Sequence, residues 1–280
     1  MAIELATQYL PYVDELFSTE SRTSLVTNQD FSWTGAHTVK VYSIGTTGMN
    51  DYDRNGANDG LNRYGIPKDL EATTQEMTLK NDRSFTFVID RLDSDETVGN
   101  LNGASALARQ LRQVTIPEVD TYVYGVIAAG AGFKPDAVTL TSDNIYAEII
   151  KASNELDNAE VPEDGRVLIV TPDVYLLMKQ CKDITMETDI GNDMRLKGVI
   201  SNLDGCLVVK VPKNRLPKNT GFIMCHSVAT VAPVKLESYK THEDPPGING
   251  TLVEGRICYD AFVLKNKTKA IYYQEITPTV

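Results

Sequence analysis

Between two strand-patterned segments the chain runs through a polar connection, Gly45 to Thr74, dominated by Gly, Asn, Asp and Thr. At about 30 residues it far exceeds the usual loop of a packed domain. Upstream, Thr38-Val39-Lys40-Val41-Tyr42-Ser43-Ile44 alternates apolar and polar residues. Downstream, Glu76-Met77-Thr78-Leu79-Lys80 and Ser84-Phe85-Thr86-Phe87-Val88-Ile89-Asp90 do the same, broken at Asn81-Asp82. Two long strands carrying such a loop describe a projecting hairpin. Val39, Val41 and Ile44, with Phe85, Phe87 and Ile89 on the return, need cover on at least one face. The loop is too polar to form a private core. A monomeric enzyme gains little from such an element, whereas a subunit packing on neighbours uses it.

Composition narrows the class. The 280 residues make one large domain or two ordinary ones. Hydrophobic residues are 42% and charged residues 23%, which excludes a wholly disordered chain. The net charge of −11 disfavours holding duplex DNA by phosphate neutralisation unless the bases cluster, and the sequence displays no Lys/Arg cluster. The longest uncharged stretch, Asn219 to Val234, is interrupted by Asn, Thr, His, Ser and Pro, so no membrane-spanning helix is expected. The start, Met-Ala-Ile-Glu-Leu-Ala, lacks the pattern of a signal peptide. Cys181, Cys206, Cys225 and Cys258 form no Cys-x-x-Cys pair and lie mostly in apolar runs, as reduced, buried thiols of a protein made in a reducing cytoplasm.

The first 40 residues are polar and mixed, with an apolar patch at Tyr9-Leu10-Pro11-Tyr12 and a helical turn at Val13 to Phe17. They read as an arm, having too few apolar residues for a core of their own. Leu107, Leu111, Val114, Tyr122, Val126 and Ala129 recur at mostly helical steps, predicting a spine helix of about 25–30 residues. Pro117 should kink it, and Gly130-Ala131-Gly132 should end it. An α/β region follows. Thr141-Ser142 is read as the cap of a helix bearing Ile145, Ile149, Ala152 and Leu156. Arg166 to Val170 is a buried-type strand, and Thr171-Pro172 starts a helix to Gln180. Asp204-Gly205 separates the strands Gly198 to Ile200 and Cys206 to Val211, and Gly221 to Cys225 is another strand. The β-rich end comprises Val234 to Tyr239, Arg256 to Leu264 and Ala270 to Gln274, with a tight turn at Asn266-Lys267-Thr268. Asp244-Pro245-Pro246-Gly247 marks an exposed loop.

Standard chemistry is missing. There is no Gly-x4-Gly-Lys-Ser/Thr phosphate loop. Gly103-Ala104-Ser105-Ala106-Leu107 lacks the second Gly of a nucleophile elbow and follows a loop. His242-Glu243 runs into Asp-Pro-Pro, which bars a second metal-binding His one helical turn later. His37, His226 and His242 are far apart in sequence. Asp51-x-Asp53-x-Asn55-Gly56-x-x-Asp59 approaches a calcium loop but has Asn62 in place of the bidentate Glu, and is read as an exposed turn. Two Asn-x-Thr sequons, at Asn249 and Asn266, are read as chance. No enzyme activity, metal or cofactor is expected.

The order is arm, hairpin, spine helix, α/β region and returning strands. The supporting segments are Thr38–Ile44, Met49–Arg54, Arg63-Tyr64-Gly65, Thr78–Asp90, Ile116–Tyr122, Arg166–Tyr175, Asp204–Pro212 and the Gly255-Arg256 strand. In that order the chain resembles the HK97-like major capsid proteins of tailed bacteriophages, most of all siphophage types without an N-terminal scaffolding segment. The resemblance covers nearly the whole chain and implies an α+β fold. It would comprise an N-arm (1–40), an extended E-loop hairpin (41–95), a P-domain with the spine helix (96–135 and 233–280) and an axial A-domain (136–232). It implies hexamers and pentamers tiling an icosahedral shell that encloses double-stranded DNA without sequence-specific binding. It also implies assembly in the bacterial host cytoplasm, residence in the virion capsid, and portal, scaffold or decoration proteins as partners. Tyr52, Arg54, Arg63 and Tyr64 are the residue types that interface centres favour, and are the expected subunit contacts. Lys68 and Lys80 lie where some family members form cross-links, which stays open here. Two rivals remain: an encapsulin-type compartment loading protein cargo, and a cytoplasmic enzyme using carboxylates of the α/β region.

Overall fold

The computed structural model describes residues 20–28, 38–54, 63–65, 67–70, 72–96, 102–186 and 202–277. The expected turn at Val13 to Phe17 and the strand Gly198 to Ile200 lie outside them. The chain divides into two units, Gly35–Leu79 and the rest.

The smaller unit is a two-stranded antiparallel ribbon. β1 (Thr38–Ile44) and β2 (Ala72–Thr78) pair from Thr38↔Thr78 to Ile44↔Ala72. Side chains alternate between faces along a strand. Val39 and Val41 are half-buried on one face, while Tyr42 and Ile44 are 71% and 70% exposed on the other. Ile44 therefore parts from the two valines it was grouped with.

The return strand does not continue past Lys80 as the sequence reading has it. β3 (Asn81–Asp90) pairs over its length with β10 (Gly250–Tyr259), which also pairs with β9 (Val234–Glu243). Phe85, Phe87 and Ile89 thus belong to a three-stranded sheet of the larger unit. At its centre Gly255 faces Phe85 on one side and Tyr239 on the other. The Phe85 ring lies across it, 2.3 Å from where a Cβ would stand, and stacks on Tyr239 at 6.1 Å. The Asp244-Pro245-Pro246-Gly247 loop joins β9 to β10, with Asp244 Oδ1 accepting from the Gly250 N–H at 3.0 Å.

After α1 (Arg91–Glu96) comes the spine: α2 (Gly103–Gln110), one π turn (Leu111–Thr115) and α3 (Ile116–Ala129). Asn102 starts it by accepting from the Ala104 N–H at 2.9 Å. The α-helical ladder is interrupted next to Pro117, by the π turn, and not by a loss of helix at the proline itself. Backbone angles stay helical at Gln110 (φ −58°, ψ −45°) and Ile116 (φ −61°, ψ −49°). The Ile116 N–H reaches back to the Leu111 carbonyl, one residue farther than in an α-helix. The ladder has widened just before the residue that cannot donate, so the helix tolerates its proline.

The α/β region follows the sequence closely. α4 (Ile145–Asn158) is preceded by Asn144, whose amide binds Thr141 N–H and Thr139 O in a local turn, in place of the expected Thr141-Ser142 cap. β4 (Arg166–Val170) is buried at every residue. Thr171 Oγ1 then accepts from the Val174 N–H at 3.3 Å, with Pro172 opening α5 (Pro172–Gln180), and α6 (Lys182–Met186) follows. β5 (Asn202–Leu203) and β6 (Cys206–Lys210) meet at Asp204 (φ 50°) and Gly205 (φ 71°), left-handed angles that suit a two-residue hairpin. β7 (Thr220–His226) and β8 (Thr230–Val231) precede β9. The expected strand Arg256 to Leu264 is divided at Asp260, leaving β11 (Phe262–Val263) to pair with β8. A 3-10 helix, Lys265–Ala270, replaces the tight turn expected there and leads into β12 (Ile271–Glu275).

Strands run β12-β7-β4-β6-β5 in a five-stranded sheet covered on both faces. Val167 and Ile169 of β4 pack in one cluster with Val123, Tyr124 and Ile127 of α3. Leu168 and Val170 pack in the other with Ile145, Ile149 and Met178 of α4 and α5. Double cover explains why β4 is apolar from Val167 to Val170 rather than alternating.

Residues 20–28 are anchored on the larger unit. Val26 is 1% exposed within the α3 cluster, and the Asn28 N–H donates to the Thr230 carbonyl at 2.7 Å. Ser21 donates to Asp120 at 2.6 Å, and Asp120 pairs with Arg215 at 2.8 Å, both side chains almost wholly buried. In this stretch Val26 and Thr27 are buried, while Glu20, Ser21, Arg22, Ser24 and Leu25 stay exposed. Asp260 makes a second joint, accepting from Lys80 N–H (2.9 Å), Tyr122 OH (2.7 Å) and Ala261 N–H (2.8 Å). Among the described residues no helix is long and apolar enough to cross a membrane.

Candidate functional site

The ribbon carries the candidate residues, and its pairing begins with short-range chemistry. Opposite β-branched residues Thr38 and Thr78 share a hydroxyl hydrogen bond of 2.9 Å. Lys40 and Glu76, opposite in register, form an exposed ion pair of 2.6 Å. That hydrogen bond holds the Glu76 carboxyl below the usual carboxylate range and the Lys40 ammonium above its own. So exposed a pair adds little stability but fixes register.

Farther out the loop makes its own order. The Asp53 N–H donates to the Arg63 carbonyl at 3.0 Å, and Asn50 Nδ2 donates to the Tyr64 carbonyl at 3.2 Å. Gly65, at φ 91°, lets the chain turn against Asn50, whose Nδ2 would lie 2.7 Å from a Cβ. The Tyr52 and Tyr64 rings meet edge to face, 5.0 Å between centroids. Three of the four expected contact residues, Tyr52, Arg63 and Tyr64, are thus brought together, two by their rings and Arg63 by its backbone. Arg54 lies beside them in sequence and is exposed, as is Arg63. Asn55, Gly56, Asp59 and Asn62 of the calcium-like pattern lie outside the described residues.

Sequence reasoning missed the apolar part of this surface. Tyr42, Ile44, Met49 and Leu70 are exposed, Met49 completely, alongside Tyr64 at 74%. Single exposed apolar residues mean little, but here several gather on one small unit. A cleft of about 590 Å³ opens between Gly45–Gly48 and Lys68–Leu70. The signal was present in the alternation of β1, whose second face carries Lys40, Tyr42 and Ile44.

The family model described as "Phage capsid protein" matches residues 73–274, well over half the chain. The chain belongs to the phage capsid protein family. As a phage capsid protein it is a shell-forming structural subunit, located in the virion capsid. Its α+β architecture is the HK97-like fold. A chain of Mycobacterium phage Che8 superposes with a TM-score of 0.80 at 16% identity, over 96% of each chain. The capsid of cyanophage P-SCSP1u gives 0.77 at 13% identity, over 98% of this chain and 93% of that one. A virus-like particle from Pyrococcus furiosus gives 0.55 at 13% identity, over 86% and 87%. No curated protein matches the chain.

Proposed function

We propose that this phage capsid protein assembles into hexamers and pentamers of an icosahedral shell enclosing double-stranded DNA, in the cytoplasm of a bacterial host. Portal, scaffold or decoration proteins complete the particle. Residues 1–40 act as N-arm, 41–95 as E-loop, 96–135 with 233–280 as P-domain and 136–232 as A-domain. The observation that carries this reading is the ribbon, with Tyr42, Ile44, Met49, Tyr64 and Leu70 all more than half exposed. A neighbouring subunit supplies the cover. Tyr52, Arg54, Arg63 and Tyr64 then lie in the contact, where aromatic and Arg side chains carry most binding energy. A net charge of −11 suits a wall that DNA must slide past.

The second reading, an encapsulin-type compartment for protein cargo, has less support, since the family model that matches is that of phage capsid proteins. Arg54→Glu with Arg63→Glu tests the contact. Circular dichroism should stay unchanged while sedimentation shows particle yield falling at least tenfold. An unchanged yield would remove the ribbon from the interface, and a lost folded spectrum would assign the arginines to an intrachain role.

A further inference from the structure

The chain, of net charge −11, has several stretches without a carboxylate, and two of them meet in the fold. Leu264–Gln274 is one, carrying Lys265, Lys267 and Lys269. Ala129–Pro135 is another, carrying Lys134. The fold joins them. The Gly132 N–H donates to the Thr268 carbonyl at 2.9 Å, and a Cβ on Gly132 would stand 2.6 Å from that oxygen. Only glycine admits the contact. Phe133 then runs parallel to β12, taking the Tyr273 N–H on its carbonyl at 2.9 Å. Four lysines, all exposed, come to one region at the C-terminal end of α3. The sequence reading saw no basic cluster because three of these lysines alternate with neutral residues and the fourth arrives through the fold.

Helix electrostatics account for only one of them. Lys134 Nζ donates to the Ala129 carbonyl at 2.7 Å and so caps the negative end of α3. Lys265, Lys267 and Lys269 sit on the separate 3-10 helix. Among the described residues Lys267 and Lys269 enter no ion pair. No large apolar side chain is exposed in either stretch, so the anchors of a protein interface are missing. The ammonium groups of Lys267 and Lys269, on a fixed turn, match a polyanion of regular charge spacing.

We propose that this patch, Lys134 with Lys265, Lys267 and Lys269, is a phosphate-backbone contact for duplex DNA. The proposal rests on the DNA-enclosing reading above and names where the wall touches its contents. Lysines meeting the phosphate backbone as point charges carry no sequence information, so binding is sequence-independent, weak and salt-dependent. About three to four neutralised phosphates give a salt slope near −3.

The test uses the full chain, unassembled, with a short mixed-sequence duplex followed by fluorescence anisotropy across a salt series. Lys267→Glu with Lys269→Glu should lower low-salt affinity at least tenfold and flatten the salt slope by about 2. A control of equal charge change elsewhere, Lys151→Glu with Lys213→Glu, should stay within about threefold. Equal losses in both pairs would show that net charge alone acts and overturn the patch. So would undetectable wild-type binding at low salt, or tighter binding of polyglutamate than of duplex. Should the Glu pair unfold by circular dichroism, Lys267→Ala with Lys269→Ala must flatten the slope by the same amount. Sedimentation in DNA-free buffer separates the two readings. Patch variants should still form particles; if the wild type forms none yet binds DNA, the shell reading fails and the patch stands.

Discussion

At the residue scale, the Asp120–Arg215 pair most clearly shows what a buried charge demands. Asp120 lies on α3 and Arg215 after β6, and Ser21 supplies a third partner from the chain's first described stretch. Removing one member of such a pair leaves the other charged and dry, which costs about 3–5 kcal/mol. Asp120→Ala should therefore lower the urea midpoint by that equivalent, and a loss under about 1 kcal/mol would mean that water reaches Arg215. The cysteines give a second residue-scale test. Burial pushes the Cys206 thiol up to about 11 and the Cys225 thiol up to about 12. Folding thus holds protons that the unfolded chain releases above its ordinary thiol range. The stabilisation is complete below that range, and is lost as pH rises through it toward the folded values. At pH 8 a thiol reagent should modify the half-buried Cys258 first. Cys181, Cys206 and Cys225 should react only as fast as the chain opens. Rapid titration of all four would contradict the burial described here.

At the element scale, the ribbon separates from the remaining structure in what it contributes. Neither of the two main apolar clusters contains a ribbon residue. Replacing residues 45–71 with Asn-Gly, a turn that suits the Ile44↔Ala72 register, should leave the larger unit within about 1 kcal/mol of its native stability. Particle formation should disappear; particles of normal yield would refute the interface role. The elements also show which parts of the fold were legible in the sequence. β4 and α5 were readable because their signals are local: an unbroken apolar run, then a Thr-Pro cap. β3 was recognisable as a strand but not as a partner of β10, since alternation states a face and never a neighbour. Pro117 marked where the helix is irregular but not how, because no propensity reports a π turn at Leu111–Thr115. Val26 was invisible because one buried valine among polar residues makes no period. In the candidate site, the residue types of Tyr52, Arg63 and Tyr64 were legible. The hydrogen bonds that join their segments were not, because they depend on backbone geometry set by Gly65.

At the scale of the whole molecule, the chain combines a doubly covered sheet, a long spine and an apolar ribbon that its own main clusters do not use. That combination, with membership of the phage capsid protein family, makes assembly the function and the subunit contact its working part. Electron microscopy of the purified full-length chain tests this most directly. The account predicts closed shells in which rings of six and five subunits are visible, each ring crossed by ribbons from adjacent chains. A solution of single subunits that forms neither shells, tubes nor rings at any concentration or salt would contradict it.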